Sequence, residues 1–363
     1  MRSPRPALTG VAALAALATL ATACGGSSGT STAAAGASSA SGAAAASSAP
    51  TKLDTFTFRT EYSPEGSYAP YLYAQQLNYF KDEGIDFKLE YGKGSVTTAQ
   101  GVAAGDVNAG QVAPGVAVLA NDKGADLVTI GQFTARQDTG FLVSQSSPLN
   151  TVKDLTGKKV ILTAGTNSSI LLPAVLNLAG MKPDALTLQN LAYSLTDSSY
   201  ASGQGDALIT SIPFALPLAN RKRPSKAIPW SSVGFALLGY GIIARNSDVA
   251  KNPDLYTRFL RATYKGIAAA MVDPEKASAA YAASQSTLDP KSVAEQWKLW
   301  TEYVCSDNMA SSHEPLGYND EKDWTATVGI LKQYLGLKST EPASTYFTNK
   351  FFKGNGPVSA KSC

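Results

Sequence analysis

Short β-branched or apolar runs alternate with segments of helical spacing along this chain, and that rhythm predicts an α/β protein. Residues 55–60, 87–91, 109–112 and 126–130 read as strands, separated by helical patterns at 68–83, 96–104 and 115–122. The same rhythm restarts after Pro148, with strands at 159–163, 186–191 and 206–210 and helices at 168–179, around Ser198 and at 213–220. Short connections between alternating elements imply parallel strands joined by crossover helices. From Pro253 onward the spacing is helical, with Trp297, Trp300 and Trp324 among the apolar positions. The chain reads as two α/β lobes with a helical C-terminal portion returning to the first.

The first fifty residues follow a different rule. Arg2 and Arg5 precede an uncharged Ala/Leu run over 7–23, the shape of a secretory signal. The run is too short and too alanine-rich for a membrane span of about 20 strongly apolar residues. Leu20-Ala21-Thr22-Ala23-Cys24 resembles the lipobox of bacterial lipoproteins, whose cysteine takes a diacylglycerol and becomes the mature N-terminus; here Ala21 stands in the usual leucine position. Residues 25–50 are almost wholly Ser, Gly, Ala and Thr, which cannot bury a core and behave as a flexible coil. The expectation is a signal at 1–23, a lipid on Cys24, a tether over 24–51, and a folded region held at the outer face of the cytoplasmic membrane.

Composition narrows the function. Hydrophobic residues make up 44% of the chain, enough for a core, and the net charge is only +3. The densest basic cluster, Arg221-Lys222-Arg223, reads as a solvated helix end, so nucleic acid is not an expected partner. With Cys24 assigned to a lipid, Cys305 and Cys363 remain as an even pair in an oxidising compartment, and a disulfide is expected between them; two free thiols are the alternative. The single histidine, His313, has no companion at metal-ligand spacing. No nucleophile elbow, Walker-type loop or zinc motif is present, so neither catalysis nor a cofactor nor a metal is expected.

Several stretches, in order, resemble the substrate-binding proteins of ABC importers, the group that takes alkanesulfonates, nitrate and pyrimidine precursors of thiamine. They begin with Tyr79-Phe80-Lys81-Asp82-Glu83-Gly84-Ile85-Asp86-Phe87 and Tyr91-Gly92-Lys93-Gly94-Ser95, and continue with Ala103-Ala104-Gly105-Asp106-Val107. Lys153-Asp154-Leu155-Thr156-Gly157-Lys158-Lys159-Val160 and Ala164-Gly165-Thr166-Asn167-Ser168-Ser169 follow. Asp323-Trp324 and Tyr346-Phe347-Thr348-Asn349-Lys350-Phe351-Phe352 resemble the tail of the thiamine-precursor branch. The resemblance implies a two-lobed periplasmic-binding-protein-like fold of type II, with lobe 1 at 52–145 and 246–363 and lobe 2 at 146–245. It also implies a monomer that delivers a small nutrient to an ABC permease.

The loops carry their own physics. The 164–169 loop follows a strand and opens an apolar helix, so Thr166, Asn167, Ser168 and Ser169 place amides and hydroxyls at a helix N-terminus; simple capping by Ser168 or Ser169 is the bland alternative. Gly94-Ser95 is the equivalent in the first lobe, with Ser95 as a donor at a strand's carboxyl end, where open α/β sheets bind ligands. In the loop after the first strand, Tyr62 and Tyr68 suit stacking on a planar ring and Glu61 suits accepting from ring or amino N–H groups; surface packing is the alternative for both tyrosines. Gln111 (or Ala113 with Pro114), Ser211 and Tyr240 complete the candidate set, with crossing strands at 139–144 and 240–245. The acidic, aromatic first loop favours a neutral or cationic heteroaromatic such as a thiamine pyrimidine precursor. A sulfonate or other small anion suits the Ser/Thr-rich helix start, with Arg59 and Arg136 as the only cationic candidates. A pyrimidine-forming enzyme of related fold, or a sensor module, stands behind both.

Overall fold

The computed structural model describes residues 52–352, 358–359 and 361–363; the expected signal, the expected lipid site at Cys24 and the expected tether lie outside the described residues. Ten strands are formed: β1 (Asp54–Arg59), β2 (Ile85–Glu90), β3 (Ala109–Val112), β4 (Leu127–Thr134), β5 (Thr139–Ser144), β6 (Lys159–Leu162), β7 (Thr187–Asn190), β8 (Ala207–Ser211), β9 (Ser225–Pro229) and β10 (Tyr240–Arg245). They build two five-stranded sheets, ordered β2-β1-β3-β10-β4 and β7-β6-β8-β5-β9, with helices between strands. This is the two-lobed type II binding-protein fold with a helical C-terminal portion.

Both sheets are mixed rather than wholly parallel. β1 runs parallel to β2 and β3, and β6 runs parallel to β7 and β8. β10 is antiparallel to β3 and β4, and β5 is antiparallel to β8 and β9. Each of these two is the first strand the chain forms after leaving the other lobe, so it enters its sheet from the opposite end.

Strands 139–144 and 240–245 therefore do not cross between lobes; each lies wholly in one sheet. The crossings are the segments on their N-terminal sides, residues 135–138 and the stretch ending at Gly239, and they run beside one another, the Gln137 N–H donating to the Leu237 carbonyl at 3.1 Å. The sheet of lobe 1 thus spans 54–134 plus 240–245, and that of lobe 2 spans 139–229.

An aromatic stack fills lobe 1. Phe80 lies 3.9 Å from Phe87 and Phe56 lies 4.1 Å from Phe259, ring centre to ring centre. In the 79–87 motif, Gly84 takes a left-handed φ of 70°, which turns the chain from helix Tyr79–Asp82 into β2 and lets both phenylalanines face the same core. Helix Pro253–Val272 lays Tyr256, Phe259, Leu260 and Ile267 on this core. Burying each such side chain contributes about 1.5–3 kcal/mol.

The C-terminal portion does not return to lobe 1 alone. Trp324, Val328 and Leu331 of helix Glu321–Tyr334 belong to the same buried cluster as Phe141, Val160 and Leu172 of lobe 2. Cys305 and Cys363 are joined by a disulfide, with Cα atoms 5.8 Å apart, and the chain end is also held by a Cys363 N–H to Glu314 carbonyl hydrogen bond. Among the described residues no helix is long and apolar enough to cross a membrane.

Candidate ligand cleft

The carboxyl ends of the parallel strands of both sheets converge on one cleft. β1 leads to Glu61, Tyr62 and Glu65, β6 to Thr163 and the helix start at Thr166, Asn167 and Ser168, β7 to Tyr193, and β8 to Ser211 and Phe214; β10, running the other way, brings its first residue, Tyr240, to the same edge. All of these, with Thr196, Ile209 and Thr210, line a cavity of about 60 Å³.

The lobe 1 wall is acidic and fully braced. The Gly94 N–H donates to the Glu61 carbonyl at 2.7 Å, with Gly94 at φ 119°, a backbone that L side chains rarely adopt. The Ser95 hydroxyl donates to Glu61 Oε1 at 2.8 Å and accepts from the Ala113 N–H at 3.0 Å. A Cβ on Gly92 would fall 2.3 Å from the Thr60 carbonyl oxygen, so this loop can lie against Glu61 only with glycine there. Tyr68 is fully buried, and its hydroxyl accepts from the Tyr62 N–H at 2.9 Å. Glu65 accepts from the Ser67 hydroxyl at 2.8 Å.

Burial pushes Glu61 from its ordinary 4.5 up to about 7, with the Asp138 carboxylate adding to the rise and hydrogen bonds from Ser95 and Tyr240 opposing it. Burial likewise raises Glu65 well above 4.5, reinforced by Glu61 and Asp138 and opposed by Ser67 and Tyr68.

The lobe 2 wall is uncharged. Helix Asn167–Leu178 is capped by Thr166, whose Oγ1 accepts from the Ser169 N–H at 3.3 Å; neither Ser168 nor Ser169 is the cap, because the helix starts one residue earlier than the apolar pattern indicates. Ser169 turns its hydroxyl back to the Thr166 carbonyl. Asn167 is 2% exposed, and neither its Oδ1 nor its Nδ2 has a partner; Thr163 Oγ1 is also unpartnered. Tyr62 and Tyr193 meet across the cleft, ring centroids 4.0 Å apart and planes tilted by 42°.

Asp138 sits in the first crossing, fully buried. Its Oδ2 accepts from the Ser211 hydroxyl of lobe 2 at 2.6 Å and from Trp300 Nε1 of the C-terminal portion at 3.1 Å, tying three parts of the molecule at the hinge. Burial raises its pKa from 3.8 to about 6 against the pull of those two donors.

Of the residues singled out from the sequence, Glu61, Tyr62, Thr166, Asn167, Ser168, Ser211 and Tyr240 line the cavity. Tyr68, Ser95, Gln111 and Ser169 stand outside the lining: the first two brace it, Gln111 accepts from the Tyr71 hydroxyl at 2.8 Å in the core, and Ser169 is spent on its own helix start. Glu65, Tyr193, Phe214 and Asp138 were not singled out; the first three follow strand ends, and that position was the available signal. Among the described residues the lining holds no arginine, lysine or histidine. Arg59 pairs with Glu90 and Arg136 with Asp307, both away from the cavity, and His313 is exposed. Among the described residues no three His, Cys, Asp or Glu side chains could hold a metal ion.

The family profile described as "NMT1/THI5 like" matches residues 65–277. The chain is 25% identical over 325 residues to riboflavin-binding protein RibY of Chloroflexus aurantiacus, covering 85% of this chain and 88% of that protein. It is 23% identical over 316 residues to 4-amino-5-hydroxymethyl-2-methylpyrimidine phosphate synthase THI12 of Saccharomyces cerevisiae, covering 84% and 89%. In structure it matches the alkanesulfonate-binding protein SsuA of Xanthomonas axonopodis pv. citri, solved with MOPS, at a TM-score of 0.63 and 15% identity, over 82% of this chain and 99% of that one.

Proposed function

This chain belongs to the NMT1/THI5-like family, and we propose that it is the solute-capturing component of an ABC importer whose ligand is a flat, neutral or cationic heteroaromatic of the pyrimidine class. The observation that carries the reading is the chemistry of the cleft: two buried carboxyl groups, Glu61 and Glu65, line it, and among the described residues no cationic side chain does. A sulfonate or nitrate offers only acceptors, and where Glu61 is ionised it would meet a buried negative charge with nothing cationic in the lining to offset it. An amino or ring N–H offers the donor that Glu61 accepts, and charge-assisted pairs of that kind are the strong ones. Tyr62 and Tyr193, whose rings meet across the cleft at a tilt of 42°, part to take a flat ring between them as the lobes open and close.

Two relatives bear on the ring. One is named for riboflavin and one for an aminopyrimidine, and both compounds contain a pyrimidine ring with nitrogen donors and acceptors on its edge. One relative is a binding protein and the other a synthase; a cavity lining that, among the described residues, has no lysine, histidine or cysteine favours capture over chemistry. Lipid attachment at Cys24 then places this cleft at the outer face of the membrane beside the permease, and partition of the cell-derived protein into the aqueous phase of a detergent extraction removes that anchor.

A thermal-shift series tests the ligand class, because a molecule that binds only the folded state raises the melting temperature with its concentration. A rise with 4-amino-5-hydroxymethyl-2-methylpyrimidine or riboflavin, and none with taurine or nitrate, is the expected result. A rise with taurine alone transfers the reading to a small-anion receptor seated on the N-terminus of helix Asn167–Leu178.

A further inference from the structure

Asn167 stands at the first position of its helix, 2% exposed, and lines the cavity with both side-chain polar atoms unpartnered. Buried side-chain amides are nearly always hydrogen-bonded, and the exceptions gather at functional sites. The neighbouring Thr163 hydroxyl, on the same wall, is unpartnered too. On the opposite wall every brace is in place: Ser95 on Glu61, Ser67 on Glu65, and Tyr68 on the Tyr62 backbone.

A primary amide presents an acceptor oxygen and a donor nitrogen side by side. Its complement is a group with an adjacent donor and acceptor on one edge, such as the amino group and ring nitrogen of an aminopyrimidine or the N–H and carbonyl of a pyrimidinedione. Turning the amide over serves either order. An ion with acceptors alone satisfies only the Asn167 nitrogen and leaves its oxygen bare.

Resting on the heteroaromatic reading above, we propose that Asn167 is the specificity-determining residue of the cleft. It reads a paired donor and acceptor on one edge of the ring while another part of the ligand donates to Glu61 on the opposite wall. Ligand selection is thus divided between the lobes: the acidic wall demands a donor, and the amide wall checks for an adjacent donor–acceptor pair. Sites built to hydrogen-bond a polar group reject analogues that lack it, because the site's own polar atoms are then left unpaired.

The test is calorimetry on the purified protein with two pairs of probes. One pair is 4-amino-5-hydroxymethyl-2-methylpyrimidine and the same pyrimidine without its 4-amino group; the other is riboflavin and 3-methylriboflavin, whose N3 edge is blocked. Whichever parent binds the wild type, its edge-altered analogue binds at least tenfold more weakly. In Asn167→Leu the parent loses at least tenfold, and the gap between parent and analogue closes to less than threefold. The ligand-free melting temperature of Asn167→Leu holds or rises, since an unpartnered buried amide has been replaced by an apolar side chain of similar size. Asn167→Ser supplies the same comparison should the leucine variant fold poorly. Equal binding of parent and analogue by the wild type, or an undiminished parent affinity in both variants, overturns the role of Asn167 and leaves the heteroaromatic reading standing. Binding of neither parent overturns both.

Discussion

The two walls of the cleft are built on opposite principles. On lobe 1, Glu61 is held by Ser95 through its side chain and by Gly94 through its carbonyl, and Ser95 is itself fixed by the Ala113 N–H. On lobe 2, Asn167 and Thr163 face the same cavity with unpartnered polar atoms. The first wall is rigid and acidic before any ligand arrives; the second is neutral and keeps its hydrogen-bonding capacity uncommitted. On the function proposed above, the contrast teaches that one wall can be preorganised to seize a ligand while the other verifies it. The energy of unpartnered groups on the second wall then works in favour of closing on the right molecule alone.

Breaking the acidic wall has the largest expected effect. Glu61→Gln keeps the shape and the acceptor for Ser95 but removes the charge. Hydrogen bonds to charged groups contribute about 1.5–3 kcal/mol, so at pH 8, where Glu61 is ionised, the affinity for a donor-bearing pyrimidine falls by about 100-fold by calorimetry. The same variant alters the pH profile. The folded protein holds a proton on Glu61 up to about pH 7, whereas the unfolded chain releases it near 4.5. The folded state therefore binds more protons across that window, and ligand-free stability is highest below it and declines as pH rises toward 7. Glu65 and Asp138, raised in the same direction, act with the same sign. A melting-temperature series from pH 4.5 to 8 should slope downward in the wild type and less steeply in Glu61→Gln.

Opening the aromatic gap comes next. Aromatic pairs contribute about 0.5–1.5 kcal/mol beyond the area they bury, so Tyr193→Ala lowers ring affinity by about tenfold while leaving any binding of taurine unchanged. Loosening a brace is smaller still. Ser95→Ala leaves Glu61 in place but unsteadied and costs a few-fold in affinity, with a larger loss for ligands whose only donor faces Glu61. Cutting the Cys305–Cys363 disulfide, which closes a chain segment 58 residues long, lowers stability by about 2–4 kcal/mol in a chemical denaturation series. It leaves ligand affinity within twofold, because the bond lies outside both walls.

How much of this was legible in the sequence differs between the fold and the site. Most element positions followed from periodicity, because β1 to β4, β6 and β8 are short runs with apolar or β-branched residues, set between helical stretches. β9 escaped: Ser-Lys-Ala-Ile-Pro is short, carries a proline, and pairs only with β5 at the edge of its sheet. Direction escaped too, since periodicity says which face of a strand is buried and nothing about which way the strand runs; hence the misplaced crossings at 139–144 and 240–245. In the site, strand-end logic marked the correct loops but not which side chain in each turns inward. Tyr68 and Ser95 stand behind the wall and Glu65 lines it, a distinction made by hydrogen bonds of the folded loop that periodicity does not encode. Tyr193 lay hidden in a short polar helix whose start falls at a strand's end. The tail motif matched for a different reason. Trp324 stacks on Phe347 at 5.1 Å and donates to Asn319, which Asn349 also holds, so these residues lock the C-terminal portion onto β4 and lie outside the cavity.

The central claim is that one flat heterocycle is held by both walls at once, and a crystal structure of the protein grown with 4-amino-5-hydroxymethyl-2-methylpyrimidine or riboflavin tests it most directly. The account predicts the ring between Tyr62 and Tyr193, a nitrogen donor about 2.7–3.2 Å from a Glu61 carboxylate oxygen, and the Asn167 amide paired with the ring's edge. A ring bound elsewhere, or one that leaves Glu61 and Asn167 without contact, would contradict it.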